Sequence, residues 1–474
     1  MALIPPLSRR AFVRSLSAGL GSVGLAGMLA NEQQARAAAA ASAVDATGNA
    51  AGPASFPKPH FAPRAEHNIV LFLPGGPSQV DMFDPKPALE KYAGQRPDSV
   101  NLRTERTTGG LYPSPFKFNK HGQSGLEISE LLPHLATVAD DLCVVRSMYT
   151  FNPTHTPARS LFHSGNIAAT RPSMGSWISY GLGSENQNLP GFVVLGPGGG
   201  GGPGLRSGFL PARHQGTGFD SSKTDPEQMI RYLRNKELDP AAQRRQLDLV
   251  QQLNRGHQQA FGEDEFLEGR IQAMESAFRM QSEATDAFDL TKETKLTRAL
   301  YGDTTHGRQL LYTRRLIERG VRFVQVWSGA GQPWDNHDNL EAQHKKLAGE
   351  WDQPIAAFLA DLKRIGLLDE TLVLWGGEFG RTPVAELPAL NGRDHNHYGF
   401  TCWLAGGGVK GGTVYGATDE FGFKAVENKV HVHDLHATIL HLLGFDHEKL
   451  TYRYAGRDFR LTDVHGNVVK DILA

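Results

Sequence analysis

The sequence predicts an α/β fold with a mainly parallel central sheet flanked by helices. Short, continuous apolar runs that end in glycine or polar clusters alternate along the chain with segments of helical periodicity. The predicted strands span residues 68–73, 142–145, 191–195, 321–326, 371–375 and 402–405. In a parallel sheet, ligands bind beyond the carboxyl ends of the strands. The polar clusters that follow these runs are therefore the candidate site.

Helical periodicity is clearest in two segments and in one insertion. Residues 341–368 repeat apolar side chains at helical spacing on one face. Residues 435–443 predict a second helix, with Asp434 as its N-cap and Gly444 as its stop. Residues 221–297 are charged, rich in glutamine and low in strand signal, so they predict a helical insertion that packs on the core.

Composition limits the classes of function. The chain has 474 residues, of which 49 are Lys or Arg and 50 are Asp or Glu, so the net charge of −1 gives no general case for nucleic acid as a partner. The folded domain is expected to span 65–474 as one unit. Cys143 and Cys402 cannot form a disulfide framework. We expect two buried thiols, and a single bridge between them is left open.

The N-terminus has the pattern of an export signal. The run Ser8-Arg9-Arg10 precedes an apolar stretch, 16–30, that is too short and too rich in glycine and alanine for a stable membrane span. Residues 1–43 therefore predict a twin-arginine signal peptide, read by the twin-arginine export machinery, with an ordinary secretory signal as the alternative. Residues 44–64 predict a disordered linker. The expected location is the periplasm or the extracellular space.

Carboxylates and imidazoles concentrate in the polar clusters after the strands. The candidate metal ligands are Asp81, Asp335, His337, Glu378, Asp394, His395 and His397. A carboxylate and an imidazole two residues apart can bind one ion from an irregular loop. A lone carboxylate beyond a buried strand is costly unless it is paired or metal-bound. The alternatives are an Asx turn or helix cap at Asp81, Asx turns around Asp335, and a ligand-supporting role for members of the last cluster.

A further cluster, Thr154-His-Thr-Pro-Ala-Arg159, has a proline suited to the first turn of a helix. A helix N-terminus stabilises anions, so His155 or the hydroxyl of Thr154 or Thr156 would face a phosphate or sulfate group there. Arg159 would add a bidentate clamp. The alternative is a hydroxyl cap beside a solvated arginine. These four residues are the catalytic candidates.

Mixed Asp, Glu and His ligands suit a divalent metal, and Zn, Mn, Fe and Ca all remain open. A bound ion of this kind acidifies water and neutralises charge on a phosphoryl or sulfuryl oxygen. The chemistry indicated is metal-assisted hydrolysis.

Several motifs resemble the family known as domain of unknown function 1501. They are Gly75-Gly-Pro-Ser78, Trp334-Asp-Asn-His337, Gly377-Glu-Phe-Gly-Arg-Thr-Pro383, Gly392-Arg-Asp-His395, Ala405-Gly-Gly-Gly-Val-Lys-Gly-Gly412 and the helix from Asp434 to Gly444. The resemblance runs from about Asn68 to the C-terminus. It implies a sulfatase-like protein of the alkaline phosphatase superfamily, exported from a bacterial cell.

The sequence departs from sulfatases at three points. The resemblance puts His155 at the nucleophile position, where sulfatases have Cys or Ser, so no formylglycine can form. Gly75-Gly76 replaces the aspartates after the first strand, and Glu378-Phe379 replaces a late Asp-His pair. The expected function is an exported metal-dependent hydrolase of phosphate or sulfate esters, on small molecules or polysaccharides. The alternative is a non-catalytic metal-binding relative with a structural or ligand-binding role at the cell surface.

Overall fold

The computed structural model describes residues 57–474, apart from residues 169, 231, 232, 236 and 263. The predicted signal peptide, 1–43, and the predicted linker as far as residue 56 lie outside the described residues. The last part of that predicted linker is bonded to the fold. The backbone N–H groups of His60 and Arg64 donate to Gly444 and Leu442 at 2.8 Å each, so the folded part begins before residue 65.

The described strands and helices alternate along the chain. The strands are β1 (His67–Phe72), β2 (Thr108–Leu111), β3 (Phe118–His121), β4 (Leu126–Ser129), β5 (Leu142–Tyr149), β6 (Phe192–Gly196), β7 (Thr217–Asp220), β8 (Phe323–Trp327), β9 (Thr371–Gly376), β10 (Gly380–Glu386), β11 (Arg393–Asn396), β12 (Phe400–Ala405), β13 (Thr413–Tyr415), β14 (Ala417–Thr418), β15 (Ala425–Glu427), β16 (Val430–His431), β17 (Tyr452–Tyr454) and β18 (Arg457–Phe459). The helices are α1 (Gln79–Met82), α2 (Pro87–Lys91), α3 (His155–Ser164), α4 (Met174–Leu182), α5 (Pro226–Met229), α6 (Pro240–Phe261), α7 (Glu265–Ala287), α8 (Lys295–Tyr301), α9 (Thr305–Ile317), α10 (Leu340–Arg364) and α11 (Val432–Leu442).

The central sheet is mostly parallel, as the sequence predicts. Its strand order is β13-β5-β12-β9-β1-β8-β6-β7, and β16 also pairs with β5. Strands β9, β1, β8, β6 and β7 are mutually parallel, whereas β12 runs antiparallel to both β9 and β5. A smaller antiparallel sheet has the order β11-β10-β2. Because β5 therefore points the same way as β9, β1 and β8, the segments after these four strands begin at one edge of the sheet.

Both faces of the sheet are covered, which explains the uninterrupted apolar runs. In β1, Ile69 and Leu71 belong to one buried cluster with side chains of α9 and α10. Val70 and Phe72 belong to a second cluster with side chains of α3, α4 and α11. Alternate residues of a strand point to opposite faces, and burying each such side chain contributes about 1.5–3 kcal/mol. All six predicted strands are present, and this two-sided burial is the reason.

One helix start was predicted wrongly. The last long helix begins at Val432, three residues before the expected position, and its N-cap is His431 rather than Asp434. The His431 ring accepts from the N–H of His433 at 3.2 Å, and Asp434 accepts from the N–H of His431 at 2.8 Å. Asp434 is thus the third helical residue of a capping box, where a carboxylate also satisfies a free backbone donor.

The predicted helical insertion, 221–297, falls between β7 and β8. Helices α5, α6, α7 and α8 occupy much of residues 221–301.

Cys143 and Cys402 lie on the neighbouring strands β5 and β12 as free, buried thiols, as expected. Among the described helices, none combines the length and the apolarity that crossing a bilayer requires.

Candidate functional site

The site lies beyond the carboxyl ends of three parallel strands. The loop after β8 supplies Asp335 and His337, and the turn after β9 supplies Glu378. The segment after β5 leads into α3, whose first residue is His155. Strand β11 of the smaller sheet adds His395. Residues from positions 155 to 395 thus meet because the parallel strands deliver their loops to one edge.

One oxygen of Asp335 is the centre of the cluster. Its Oδ1 lies 2.8 Å from Nε2 of His337, 3.1 Å from Nε2 of His395 and 3.2 Å from Nε2 of His155. The guanidinium Nη2 of Arg381 donates to the same oxygen at 2.5 Å. Three imidazole nitrogens therefore face one carboxylate oxygen, and this arrangement is the main feature of the site.

Each of these histidines contacts a glutamate with its other ring nitrogen. Nδ1 of His155 lies 2.7 Å from Oε1 of Glu378, and Nδ1 of His337 contacts Oε2 of Glu386. Nδ1 of His395 lies 2.9 Å from Oε2 of Glu105. A carboxylate that accepts the Nδ1 proton fixes the ring orientation and leaves Nε2 as a lone pair. The three Nε2 atoms are thus prepared to act as ligands.

Several buried polar atoms in the cluster have no hydrogen-bond partner in the described structure. They are Nε2 of His155, Nε2 of His337 and Oε2 of Glu378. Glu378 is fully buried, and its Oε1 also accepts from the backbone N–H of Gly75 at 3.1 Å. Buried polar atoms without partners are costly, so such atoms on residues that contact one another are consistent with a bound group.

The charges in the cluster reinforce one another. Burial acts to raise the pKa of Asp335, but the close rings of His155, His337 and His395 and the charge of Arg381 hold that pKa well below its usual value. Burial acts to lower the pKa of His155, but contacts with Asp335 and Glu378 outweigh it and raise that pKa. Asp335 is therefore an anion that attracts positive charge, which a proton or a metal ion can supply.

Close backbone approaches hold the loops of the site together. At Gly75, φ is +115°, and a Cβ would lie 2.5 Å from the backbone nitrogen of Asp335. At Gly392, a Cβ would lie 1.9 Å from the carbonyl oxygen of His337. The backbone N–H of Arg393 donates to Asn336 at 3.3 Å. The loop that carries Asp335 and His337 therefore contacts both neighbouring loops directly.

The side chain of Arg381 bonds to the backbone of the same loops. Its fully buried side chain donates through Nε to Gly76 at 2.9 Å and through Nη1 to Arg393 at 3.1 Å, both times to backbone carbonyl oxygens. The Nη2 group contacts the Gly75 carbonyl as well as Asp335. One side chain thus supports both backbone and carboxylate at the centre.

The other three metal-ligand candidates make different contacts. Asp81 pairs with Arg393 in an ion pair that is fully buried, so we leave it out of the proposed ligand set. Asp394 accepts from the N–H groups of Arg106 at 2.6 Å and of His395 at 2.8 Å. Burial lowers the pKa of His397 to about 4, and its ring packs on Tyr398 with centroids 3.9 Å apart.

The start of α3 presents the catalytic candidates. Thr154 is the N-cap but makes no side-chain capping bond, and Thr154 and Thr156 are both exposed. Arg159 is half-buried one helical turn after His155, and its Nε is buried without a hydrogen-bond partner. An arginine in this position beside a helix N-terminus can bind an anion.

Three site residues were missed by the sequence analysis as site candidates. Glu386 lies at the end of β10, Glu105 in an irregular segment before β2, and Arg381 at the start of β10. Arg381 lies within the Gly377–Pro383 motif, so a signal was present for it, whereas Glu386 lies three residues beyond that motif. Nothing around Glu105 distinguishes it from any surface glutamate.

The donor set fits a metal ion. Among the described residues, His155, Asp335 and His395 each offer a ligand atom, and these atoms lie within 4.8 Å of one another. A second group meeting the same limit is His337, Asp394 and His395. Neutral imidazole and carboxylate are the ligands that zinc, manganese and iron bind in proteins.

Solved structures with similar architecture include a sulfatase and an alkaline phosphatase. The PsFucS1 sulfatase from Pseudoalteromonas sp. is 13% identical, with 81% of this chain and 69% of that chain covered and a TM-score of 0.33. The alkaline phosphatase from the Antarctic bacterium TAB5 is 10% identical, with 80% and 98% covered and a TM-score of 0.32. Ps i-CgsB is 11% identical, with 80% and 72% covered and a TM-score of 0.36.

Comparison with curated proteins gives no match. The roles of the site residues therefore rest on the contacts described above. One protein family matches almost all of the described chain. Residues 65–473 match the family described as "Protein of unknown function (DUF1501)", and the chain belongs to that family.

Proposed function

We propose that this protein is a metal-dependent hydrolase of phosphate or sulfate esters. The observation that carries the proposal is the convergence of three histidine Nε2 atoms on Oδ1 of Asp335 at 2.8–3.2 Å. Three imidazoles, the Asp335 carboxylate and the glutamates that contact the imidazoles cost free energy to bury unless a cation is bound among them. The substrate class follows from the anion-binding groups beside the centre.

The proposed ligands are His155, Asp335, His337 and His395, with Glu378 holding His155 and keeping one free oxygen in the cluster. The imidazole-rich set favours zinc, manganese or iron over calcium, because calcium takes oxygen ligands. A divalent ion bound there supplies a Lewis acid for a phosphoryl or sulfuryl oxygen.

The start of α3 supplies the proposed substrate contacts. Arg159 neutralises an ester oxygen, and the free N–H groups of the first helical turn face the same anion. Thr154 and Thr156 are exposed hydroxyls next to His155. An unassisted threonine is a poor nucleophile, and no described carboxylate or imidazole is bonded to either hydroxyl, so we propose water as the attacking group.

The second candidate function is metal binding without catalysis. The feature that favours it is His155, a residue held by Glu378 and facing Asp335, where a sulfatase-like enzyme has its nucleophile. A histidine committed as a metal ligand does not attack an ester. The centre would then have a structural or ligand-binding role.

The two functions are separated by turnover of the metal-loaded protein. Aryl phosphates, aryl sulfates and sulfated or phosphorylated polysaccharides are tested after loading with zinc, manganese, iron or calcium. We expect hydrolysis of at least one ester, and at least a hundredfold loss of kcat in His395→Ala and Glu378→Gln. The matched control is His134→Ala. His134 is exposed and has no described contact with the cluster, so this variant should keep full activity. Stoichiometric metal without turnover on any ester supports the binding function.

We also propose that the protein is exported by the twin-arginine route to the periplasm or beyond. The support is the Ser8-Arg9-Arg10 run before a mild apolar stretch. Replacing both arginines by lysine should trap the precursor inside the cell, as measured by fractionation. Export that persists in this variant, or that depends on the general secretory pathway, contradicts the proposal.

A further inference from the structure

A short exposed segment before β2 reaches into the metal-ligand cluster. The hydroxyl of Tyr398 donates to the carbonyl oxygen of Arg103 at 3.2 Å, and the N–H of Arg106 donates to Asp394 at 2.6 Å. The N–H of Leu387 donates to the carbonyl of Thr107 at 3.0 Å. Residues 103–107, the Glu105 segment, are thus attached at both ends to the strands that carry the site.

Between these attachments, Glu105 places Oε2 2.9 Å from Nδ1 of His395. The same Nδ1 lies 2.8 Å from the carbonyl oxygen of Pro153. One N–H cannot make two strong, well-aligned bonds, and the carbonyl alone would fix the tautomer. The carboxylate therefore contributes something that the carbonyl does not, namely a negative charge next to the imidazole.

Glu105 also differs from the other two glutamates behind the histidines. The side chains of Glu378 and Glu386 are 0% and 7% exposed, whereas that of Glu105 is 35% exposed. Glu378 and Glu386 are buried in the core, whereas Glu105 lies on a surface segment. The His395 side of the centre is therefore the side that can be loosened without disturbing the core.

We infer that Glu105 is a positioning residue that holds His395 as a metal ligand and strengthens the bond from its Nε2 to the cation. This inference rests on the proposed metal centre and deepens it. An imidazole whose Nδ1–H donates to a carboxylate is a stronger ligand through Nε2 than one that donates to a carbonyl. Loss of Glu105 leaves Pro153 as the acceptor, so the ring stays in place while its affinity for the cation falls.

The test measures equilibrium binding of Zn²⁺ and Co²⁺ to the metal-free chain, without any assay of turnover. Glu105→Ala should weaken binding about 10- to 100-fold and change the visible absorption of bound Co²⁺. Glu105→Gln should restore the hydrogen bond but not the charge, so its affinity should lie between those of Glu105→Ala and the unsubstituted protein. Glu370→Gln, an exposed glutamate just before β9 at the opposite edge of the sheet, is the control.

The outcomes separate this inference from the proposed hydrolase function. Affinity within threefold of the unsubstituted protein in Glu105→Ala overturns the inference and leaves the metal centre standing. Failure of the unsubstituted protein to bind either ion overturns both. Thermal unfolding of the metal-free variants confirms that each is folded before binding is measured. Intact binding without ester turnover upholds the role of Glu105 and removes only the hydrolase proposal.

Discussion

The carboxylate of Asp81 accepts two hydrogen bonds from the guanidinium of Arg393, at 2.8 Å from Nε and 3.0 Å from Nη2, and neither side chain is exposed. Burial acts to raise the pKa of Asp81, but the charge and hydrogen bonds of Arg393 outweigh it and lower that pKa. Ser78 also donates to the carboxylate at 2.5 Å. The pair joins α1 to β11, so it positions the neighbours of the site.

Removing one member of this pair should destabilise the fold. Asp81→Ala leaves the Arg393 charge buried without a partner, which costs about 3–5 kcal/mol. We expect that loss in the free energy of unfolding from urea denaturation. Asp303→Ala, whose side chain is 99% exposed, should change it by less than about 0.5 kcal/mol. A loss below about 1 kcal/mol in Asp81→Ala would show that the pair is not structural.

Buried neutral histidines should make the protein sensitive to acid. Burial, aided by His433, lowers the pKa of His436 to about 3, against an ordinary value of 6.5. Below pH 6.5, His436 therefore binds a proton in the unfolded chain but stays neutral in the folded chain. Its contribution to the free energy of unfolding is fully present above pH 6.5 and is lost as the pH falls towards 3. Each such group contributes a slope of about 1.4 kcal/mol per pH unit in that window.

A single substitution tests this slope. The Nε2 of His436 lies 2.8 Å from the carbonyl oxygen of Phe162, and a glutamine amide can donate the same bond. In His436→Gln, the slope of the free energy of unfolding against pH should therefore be smaller by about 1.4 kcal/mol per pH unit between pH 6 and 4, as measured by urea denaturation. His134→Gln, at an exposed position, should keep the original slope. An unchanged slope in His436→Gln would mean that this ring is protonated in the folded protein.

The fold was predictable because its signal is local. A strand buried on both faces is apolar at most positions, and each predicted run contains such a strand. The start of α11 was not predictable in the same way. Aspartate is a common N-cap and histidine an unusual one, so the sequence favours Asp434 over His431. The actual role of Asp434 depends on its bond to the backbone N–H of His431.

The site was predictable in residue type but not in pairing. Asp81, Asp335 and Glu378 are all carboxylates that follow strands in the sequence, and all three are metal-ligand candidates there. Their fates differ because Asp81 meets Arg393, which lies 312 positions later in the chain. Glu105 reaches His395 across 290 positions. Such contacts depend on how the loops pack, which local patterns do not specify.

Gly75 should be intolerant of a side chain for two separable reasons. Its φ of +115° disfavours L residues, and a Cβ would approach the backbone nitrogen of Asp335 to 2.5 Å. Gly94 has a φ of +75° but nothing within 4 Å of a Cβ, so Gly94→Ala isolates the conformational cost of about 1–2 kcal/mol. Gly75→Ala should lose more stability and also displace Asp335.

Metal binding measured by calorimetry reads out that displacement. We expect Gly75→Ala to weaken Zn²⁺ binding at least tenfold and Gly94→Ala to leave it unchanged. Equal affinity in the two variants would mean that the turn after β1 does not set the position of Asp335.

Metal should stabilise the folded chain, because the ligand cluster exists only when the strands are assembled. An ion at a hundred times its Kd adds about 2.7 kcal/mol to the free energy of unfolding. Treatment with a chelator should therefore lower the Tm, and Zn²⁺ should restore it. His337→Ala should reduce this metal-dependent shift, because it removes an Nε2 that lies 2.8 Å from Asp335. His134→Ala should keep the full shift, since that side chain is exposed. Loss of the shift in both variants, or in neither, would place the stabilising ion elsewhere in the molecule.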